Sequence, residues 1–185
     1  NSGGYLRVAG VLDVPQGPVT FRDTTVEFQP GSSGALTGCR FERSGYGRMV
    51  AIEGASPRFT QCVFEGSPTP NQYVRPTGVY LSTHATLLTS PVFSACQFRT
   101  PTDEYCDMTG VECNVNDGEH LGGRFENCTF ENLEYGFYAQ GGGVLSFVLD
   151  GNRFVNCDTA LYAPNIAGAS SLQILKSSLA MGARQ

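Results

Sequence analysis

Seven cysteines are the first residues in this 185-residue chain that could do chemistry. Cys39, Cys62, Cys96 and Cys128 recur in near-identical six-residue strings, and four thiolates can make a tetrahedral zinc site. The spacing argues against one, because the close ligand pairs of zinc motifs are missing. Cysteines set one repeat apart climb a ladder instead of converging on a point, so reduced thiols packed as small apolar side chains are expected. Consecutive rungs come near enough in Cα distance for a disulfide, yet parallel, in-register side chains hold their Cβ atoms too far apart. Asn152 and Ser177 continue the column. Cys106 falls in a loop and Cys157 at a turn, where exposure or pairing is expected; an odd count leaves at least one cysteine unpaired within the chain. Neither a metal nor a cofactor is expected.

Carboxylates gather in two stretches, Asp103, Glu104 and Asp107, then Asp117 and Glu119 beside His120, with Glu112 between them. Two carboxylates flanking a bond can hydrolyse a glycoside, and clustered carboxylates can hold Ca²⁺. Solvated loop charge is the plainer reading and the preferred one. His84 reads the same way, as a lone turn histidine. The Asn127-Cys128-Thr129 sequon places its Asn at a tight corner, which speaks against modification there. No Gly-x-Ser-x-Gly elbow, phosphate-binding loop or His-Glu-x-x-His occurs. These absences weigh against enzymatic activity.

The elements that position these residues come from a repeat. The strings FTQCVF (59–64), FSACQF (93–98) and FENCTF (125–130) share Phe-x-x-Cys-x-Phe; LTGCRF (36–41) is a close variant, and FRDTTV, LDGNRF and ILKSSL are weaker copies. Starts fall at residues 21, 36, 59, 93, 125, 149 and 174, a step of 23 to 25 residues apart from one short step and two long ones of 34 and 32. That step fits one coil of three short strands. A second column follows each motif: MVAIE, GVYLS, GVECN, GFYAQ and ALYAP. Side chains alternate along a strand, so Val50/Ile52, Val79/Leu81, Val111/Cys113, Phe137/Ala139 and Leu161/Ala163 are predicted to point inward. Stacked coils bury these faces, which one coil alone cannot do.

Composition agrees with an all-β chain: Gly 23, Pro 10, 41% hydrophobic and 16% charged residues. The expected fold is a right-handed parallel β-helix, a β-solenoid of about six to seven coils, its hand taken from the chirality of parallel crossovers. The bounds are 1–20 for an N-terminal cap and first strands, with Tyr5 to Val14 as cover, 21–179 for the helix, and 180–185 for a tail that continues into a larger protein. Starting at Asn1 rather than Met, the chain reads as a processed product or a domain of something longer. A net charge of −5 with scattered basic residues excludes nonspecific nucleic-acid binding, and no apolar run reaches the length of a membrane span.

The stacked-coil motif, with FENCTFENLEYGFYA (125–139) as its most typical stretch, resembles the repeat of the pectin lyase-like superfamily. The resemblance implies a fold found in polysaccharide lyases, polygalacturonases, epimerases, tailspikes, adhesins and noncatalytic surface domains, most of them acting on or near carbohydrate. It also implies a bacterial cell-surface or extracellular home. The Asn-Thr-Asp, Asp-Asp, Gly-His-Gly and Arg-Ile-Lys signatures of its polygalacturonases are absent here, as is the Asp-Pro-His-Glu signature of its epimerases.

Alternation leaves Ala51, Tyr80, Glu112, Tyr138 and Tyr162 facing outward in one strip, with Glu53, Ser82, Asn114 and Gln140 in a second. Phenol rings offer polarisable contact with a hydrogen-bonding tip. The expected ligand-binding set is therefore Tyr80, Glu112, Tyr138, Tyr162, Asn114 and Gln140, walled by the long turns near 65–78, 82–92, 99–110 and 114–124, with a polysaccharide as partner. The competing explanation is that tyrosine favours strands and stacks to stabilise the sheet. The leading function is a noncatalytic carbohydrate-recognition or scaffold module. A lyase or hydrolase acting in the same groove is the first alternative, and an adhesin stalk binding other proteins is the second. Self-association or a protein partner is expected at the C-terminal end, where SSLAMGARQ offers no cap.

Overall fold

Short stretches of alternating apolar and polar residues, punctuated by residues that accept a left-handed backbone, can form only brief strands that turn at each punctuation. The computed structural model describes residues 3–15, 17–67, 75–84, 89–101, 107–164 and 170–180. Every regular element among them is a strand, and the strands make three sheets of seven, each wholly parallel. The first sheet runs β1 (Gly4–Val8), β4 (Thr24–Phe28), β7 (Gly47–Glu53), β10 (Pro76–Ser82), β13 (Thr109–Val115), β16 (Tyr135–Gly141) and β19 (Thr159–Tyr162). The second runs β2 (Val11–Val14), β5 (Ser33–Thr37), β8 (Arg58–Thr60), β11 (Val92–Ser94), β14 (His120–Glu126), β17 (Val144–Asp150) and β20 (Ser171–Leu175). The third holds β3 (Thr20–Arg22), β6 (Arg40–Arg43), β9 (Val63–Gly66), β12 (Gln97–Arg99), β15 (Thr129–Glu131), β18 (Arg153–Val155) and β21 (Ser178–Ala180). Each strand pairs with its counterpart one coil away, so the chain is a parallel β-solenoid of about seven coils.

The Phe-x-x-Cys-x-Phe motif spans the corner between the second and third sheets. Its third position adopts a left-handed backbone in the six copies from LTGCRF onward: Gly38, Gln61, Ala95, Asn127, Gly151 and Lys176 have φ between 48° and 67°. That one turn of the chain sends the motif's first Phe, its Cys and its last Phe inward together. FRDTTV is corrected, because Phe21 pairs with Phe41 and so takes the motif's last position, which leaves Asp23 at the other corner. Two aromatic stacks result, Phe21–Phe41–Phe64–Phe98–Phe130–Phe154 with centroids 4.7 to 5.0 Å apart, and Phe59–Phe93–Phe125 at 4.7 to 4.8 Å. The expected inward pairs of the first sheet are buried from Val50 to Ala139, while Leu161 and Ala163 pack against the core half-buried.

The cysteine column is a hydrogen-bonded ladder. The Sγ–H groups of Cys62, Cys96 and Cys128 point at the carbonyls of Leu36, Phe59 and Phe93, one coil back, at 3.3 to 3.5 Å. Asn152 takes the same place with its Nδ2 donating to the Phe125 carbonyl at 2.9 Å, and Ser177 Oγ follows on Leu149. Cys39, Cys62, Cys96, Cys113 and Cys128 are free and buried. Burial pushes the Cys39 thiol up to about 11 and holds that of Cys113 well above the ordinary range.

Cys157 corrects the expectation of an exposed or paired turn cysteine: it is 7% exposed, with Sγ 3.4 Å from the Phe130 carbonyl. The reason is a second left-handed corner, between the third sheet and the first. Asn132 (φ 56°) turns Leu133 inward, and Asn156 (φ 52°) does the same for Cys157. Cys106, also expected to be exposed or paired, lies outside the described residues.

Candidate functional site

The three outer faces differ. On the third sheet Arg22, Glu42, Arg40, Glu65 and Arg99 form one chain of ion pairs at 2.5 to 2.9 Å, so these five charges are spent on each other. The first sheet instead carries a groove of about 1100 Å³ running across the coils, lined among others by Tyr46, Arg48, Tyr80, Glu112, Tyr138 and Tyr162.

Register assembles it. Ala51, Tyr80, Glu112, Tyr138 and Tyr162 are successive Cα partners, as the alternation predicts. Their rings do not form an open platform, however. The Arg48 guanidinium lies 3.2 Å from the Tyr80 ring centroid, and Tyr138 stacks on Tyr162 at 5.5 Å and 17°. Tyr80 and Tyr138 are half-buried, and Tyr162, in the last coil of this sheet, is 42% exposed. In-register strands place like side chains one above another, so the Tyr138 and Tyr162 ring faces meet each other. Asn114 and Gln140 stand in the neighbouring strip, outside the groove lining, where Asn114 Nδ2 donates to the Tyr80 hydroxyl (3.3 Å) and the Tyr138 hydroxyl donates to Gln140 Oε1 (3.3 Å). Glu112 accepts from Thr77 Oγ1 at 3.2 Å.

Strict alternation misses a third strip, Arg48, Thr77, Thr109, Tyr135 and Thr159, also in register. Two residues before an inward anchor, these positions would be inward as well. Gly78, Gly110 and Gly136 intervene, and each lies against an inner Phe ring: a Cβ there would stand 3.2, 3.0 and 2.7 Å from Phe98, Phe130 and Phe154. A glycine and the following anchor both face the core, which throws the preceding residue outward. The signal was the Gly before Val79, Val111 and Phe137. Tyr135 thereby packs edge-on to Tyr138 (5.3 Å) and completes a three-ring cluster with Tyr162.

Buried polar groups back the groove. Arg43, 7% exposed, donates from Nη2 to Thr25 Oγ1 (2.7 Å) and to the Arg48 carbonyl (2.8 Å), fixing the turn that aims Arg48. Arg75 reaches across two further coils, to Asp107 at 3.8 Å and Glu134 at 3.0 Å. Burial raises the Glu134 carboxyl above its ordinary value, although Arg75 pulls it down.

The acidic stretches do not come together. Asp107 precedes β13 and Asp117, Glu119 and His120 follow it, so the strand holds them about 20 Å apart along its axis, too far for a glycosidase carboxylate pair. Glu119 bonds to Thr83 and Asn116, and His84 pairs with Glu53 at 2.9 Å. Asp103 and Glu104 lie outside the described residues, as do the middle parts of three of the expected wall loops. Among the described residues no three acidic, His or Cys side chains are grouped to hold a metal, and no helix is long and apolar enough to cross a membrane. No family model matches this chain, and no curated protein or solved structure matches it either.

Proposed function

We propose that this chain is a noncatalytic carbohydrate-recognition module, of the parallel β-helix type that the pectin lyase-like superfamily uses, carried by a bacterial surface or secreted protein. The observation behind the reading is the groove over the first sheet, lined on successive strands by Arg48, Tyr80, Glu112, Tyr138 and Tyr162. Successive strands stand about 4.8 Å apart, close to the rise of one sugar residue in an extended glycan, so a chain laid along the groove meets a polar edge at each rung. Phenol rims supply apolar contact to such a chain, and their hydroxyls, with the guanidinium and the carboxylate, supply hydrogen bonds. The Asp107 stretch and the Asp117 to His120 stretch stand at opposite ends of β13 and do not pair across the groove.

Affinity electrophoresis through gels carrying polysaccharides selected on a glycan array tests the reading. The wild-type chain is retarded, while Tyr138→Ala and Tyr80→Ala run freely with unchanged circular dichroism. Retention that survives both substitutions, or a loss that tracks unfolding, assigns the tyrosines to architecture and removes this function.

A further inference from the structure

Arg43 is a buried charge that lines the groove over the first sheet, yet no carboxylate among the described residues stands at ion-pair distance from it. Its Nη2 is occupied by Thr25 Oγ1 and the Arg48 carbonyl, Nη1 reaches only the Tyr46 carbonyl at 3.4 Å, and Nε has no partner among those residues. Asp23 acts on it from farther off, but its carboxylate is taken up by the N–H and hydroxyl of Ser44. Gly47 lies against this guanidinium, where a Cβ would stand 2.9 Å from Nη1, so no side chain covers it from that position. Arg48 also lacks a carboxylate at ion-pair distance, and it is held at both ends. Thr25 Oγ1 and Arg43 Nη2 donate to its carbonyl at 2.6 and 2.8 Å, and its guanidinium lies over the Tyr80 ring. Other charges along the groove have partners: Arg75 has Asp107 and Glu134, Glu27 has Arg7, and Glu53 has His84. β6 and β7, which carry the two arginines, have a paired strand on either side, so neither residue belongs to an end of the stack.

We infer that Arg43 and Arg48 form an anion-binding subsite in the groove, one that takes a carboxylate, sulfate or phosphate group. A guanidinium whose face is fixed on a ring keeps its fork of N–H donors in one place, which suits paired anionic oxygens. Arg43 adds a second positive charge where burial weakens screening, and a bound anion supplies the counter-charge that the fold omits. On a glycan the group is an acidic substituent. That extension rests on the carbohydrate reading, whereas the subsite itself does not.

The arginine Nε–Hε resonances of the whole chain, titrated with sodium sulfate against sodium chloride at equal ionic strength, test the subsite. Saturable shifts are expected at Arg43 and Arg48 with sulfate, and none at Arg58, which is exposed on the second sheet. Arg48→Gln, at an exposed position, should weaken sulfate binding at least about tenfold, the loss of a charge-assisted contact. Arg58→Gln removes the same charge elsewhere and should leave binding unchanged, while Arg48→Lys should recover part of the loss. Shifts that chloride reproduces, shifts spread alike over all arginines, or an Arg48→Gln variant that binds as the wild type does overturn the inference. Gels carrying a carboxylated, a sulfated or a neutral polysaccharide then identify the carrier. Sulfate binding in a chain that no polysaccharide retards upholds the subsite and removes the carbohydrate reading; retardation by neutral glycans without a sulfate response does the reverse.

Discussion

Asn152 shows how a single side chain keeps the ladder satisfied where the thiol column stops. It is 1% exposed; Nδ2 donates to the Phe125 carbonyl and Oδ1 accepts the Cys128 N–H at 2.8 Å. Removing it strands two buried backbone groups, at about 1–3 kcal/mol for each. Asn152→Ala should therefore lower the denaturant midpoint markedly, whereas Asn152→Cys should recover part of the loss, because a thiol reaches the equivalent carbonyl on other rungs. Equal midpoints for the two variants would mean that the ladder contributes nothing beyond volume. Glu134 acts through pH. Its carboxyl is raised above 4.5 by burial, so the folded state holds that proton more tightly than the unfolded one. The resulting stabilisation is complete below pH 4.5 and fades as pH rises through the folded-state value. The stability of the wild type relative to Glu134→Gln should accordingly fall as pH rises above 4.5 in urea titrations; a rise in that direction would mean that the Arg75 pair outweighs burial.

At the scale of elements, the first sheet depends on its glycines. A Cβ on Gly136 would stand 2.7 Å from the Phe154 ring and 2.8 Å from the Ala160 carbonyl oxygen, and backbone cannot move aside cheaply. Gly136→Ala should cost about 1–3 kcal/mol by overpacking, against little change for Gly10→Ala, where nothing lies within 4 Å. Thermal melts of the two variants compare them directly, and a harmless Gly136→Ala would show that the β16 backbone can shift. These glycines also mark the boundary of what the sequence discloses. The Phe and Cys columns are legible because their side chains repeat with the coil, and the strip of Tyr80, Glu112, Tyr138 and Tyr162 follows from alternation. Arg48 and Tyr135 are hidden because two successive inward residues, Met49–Val50 and Gly136–Phe137, break the period of two at the anchor. Cys157 was misplaced for a related reason: Asn156-Cys157 repeats the Asn127-Cys128 dipeptide, but at the other corner of the coil, where no Phe follows two residues later to flag it. The stacking of phenol faces against each other, and of Arg48 on Tyr80, depends on rotamers that periodicity does not encode.

For the whole molecule, stability is a sum over coils and the interfaces between them, since each coil touches only its neighbours. Deleting residues 1–14 removes β1 and β2, the outermost strands of two sheets, and leaves the pairings among the remaining strands in place. What changes is the end. Val26, Phe28 and Leu36, all 0% exposed in the intact chain, lose the strands that cover them, and β4 and β5 present unpaired edges. A fresh parallel edge over a large apolar face recruits other chains. The truncated protein should thus retain its β-sheet circular dichroism while becoming oligomeric or aggregated at concentrations where the full chain is still mostly monomeric, as light scattering would record. A truncated chain that is monodisperse and as stable as the parent would mean that residues 4–14 neither cover the stack nor contribute to it.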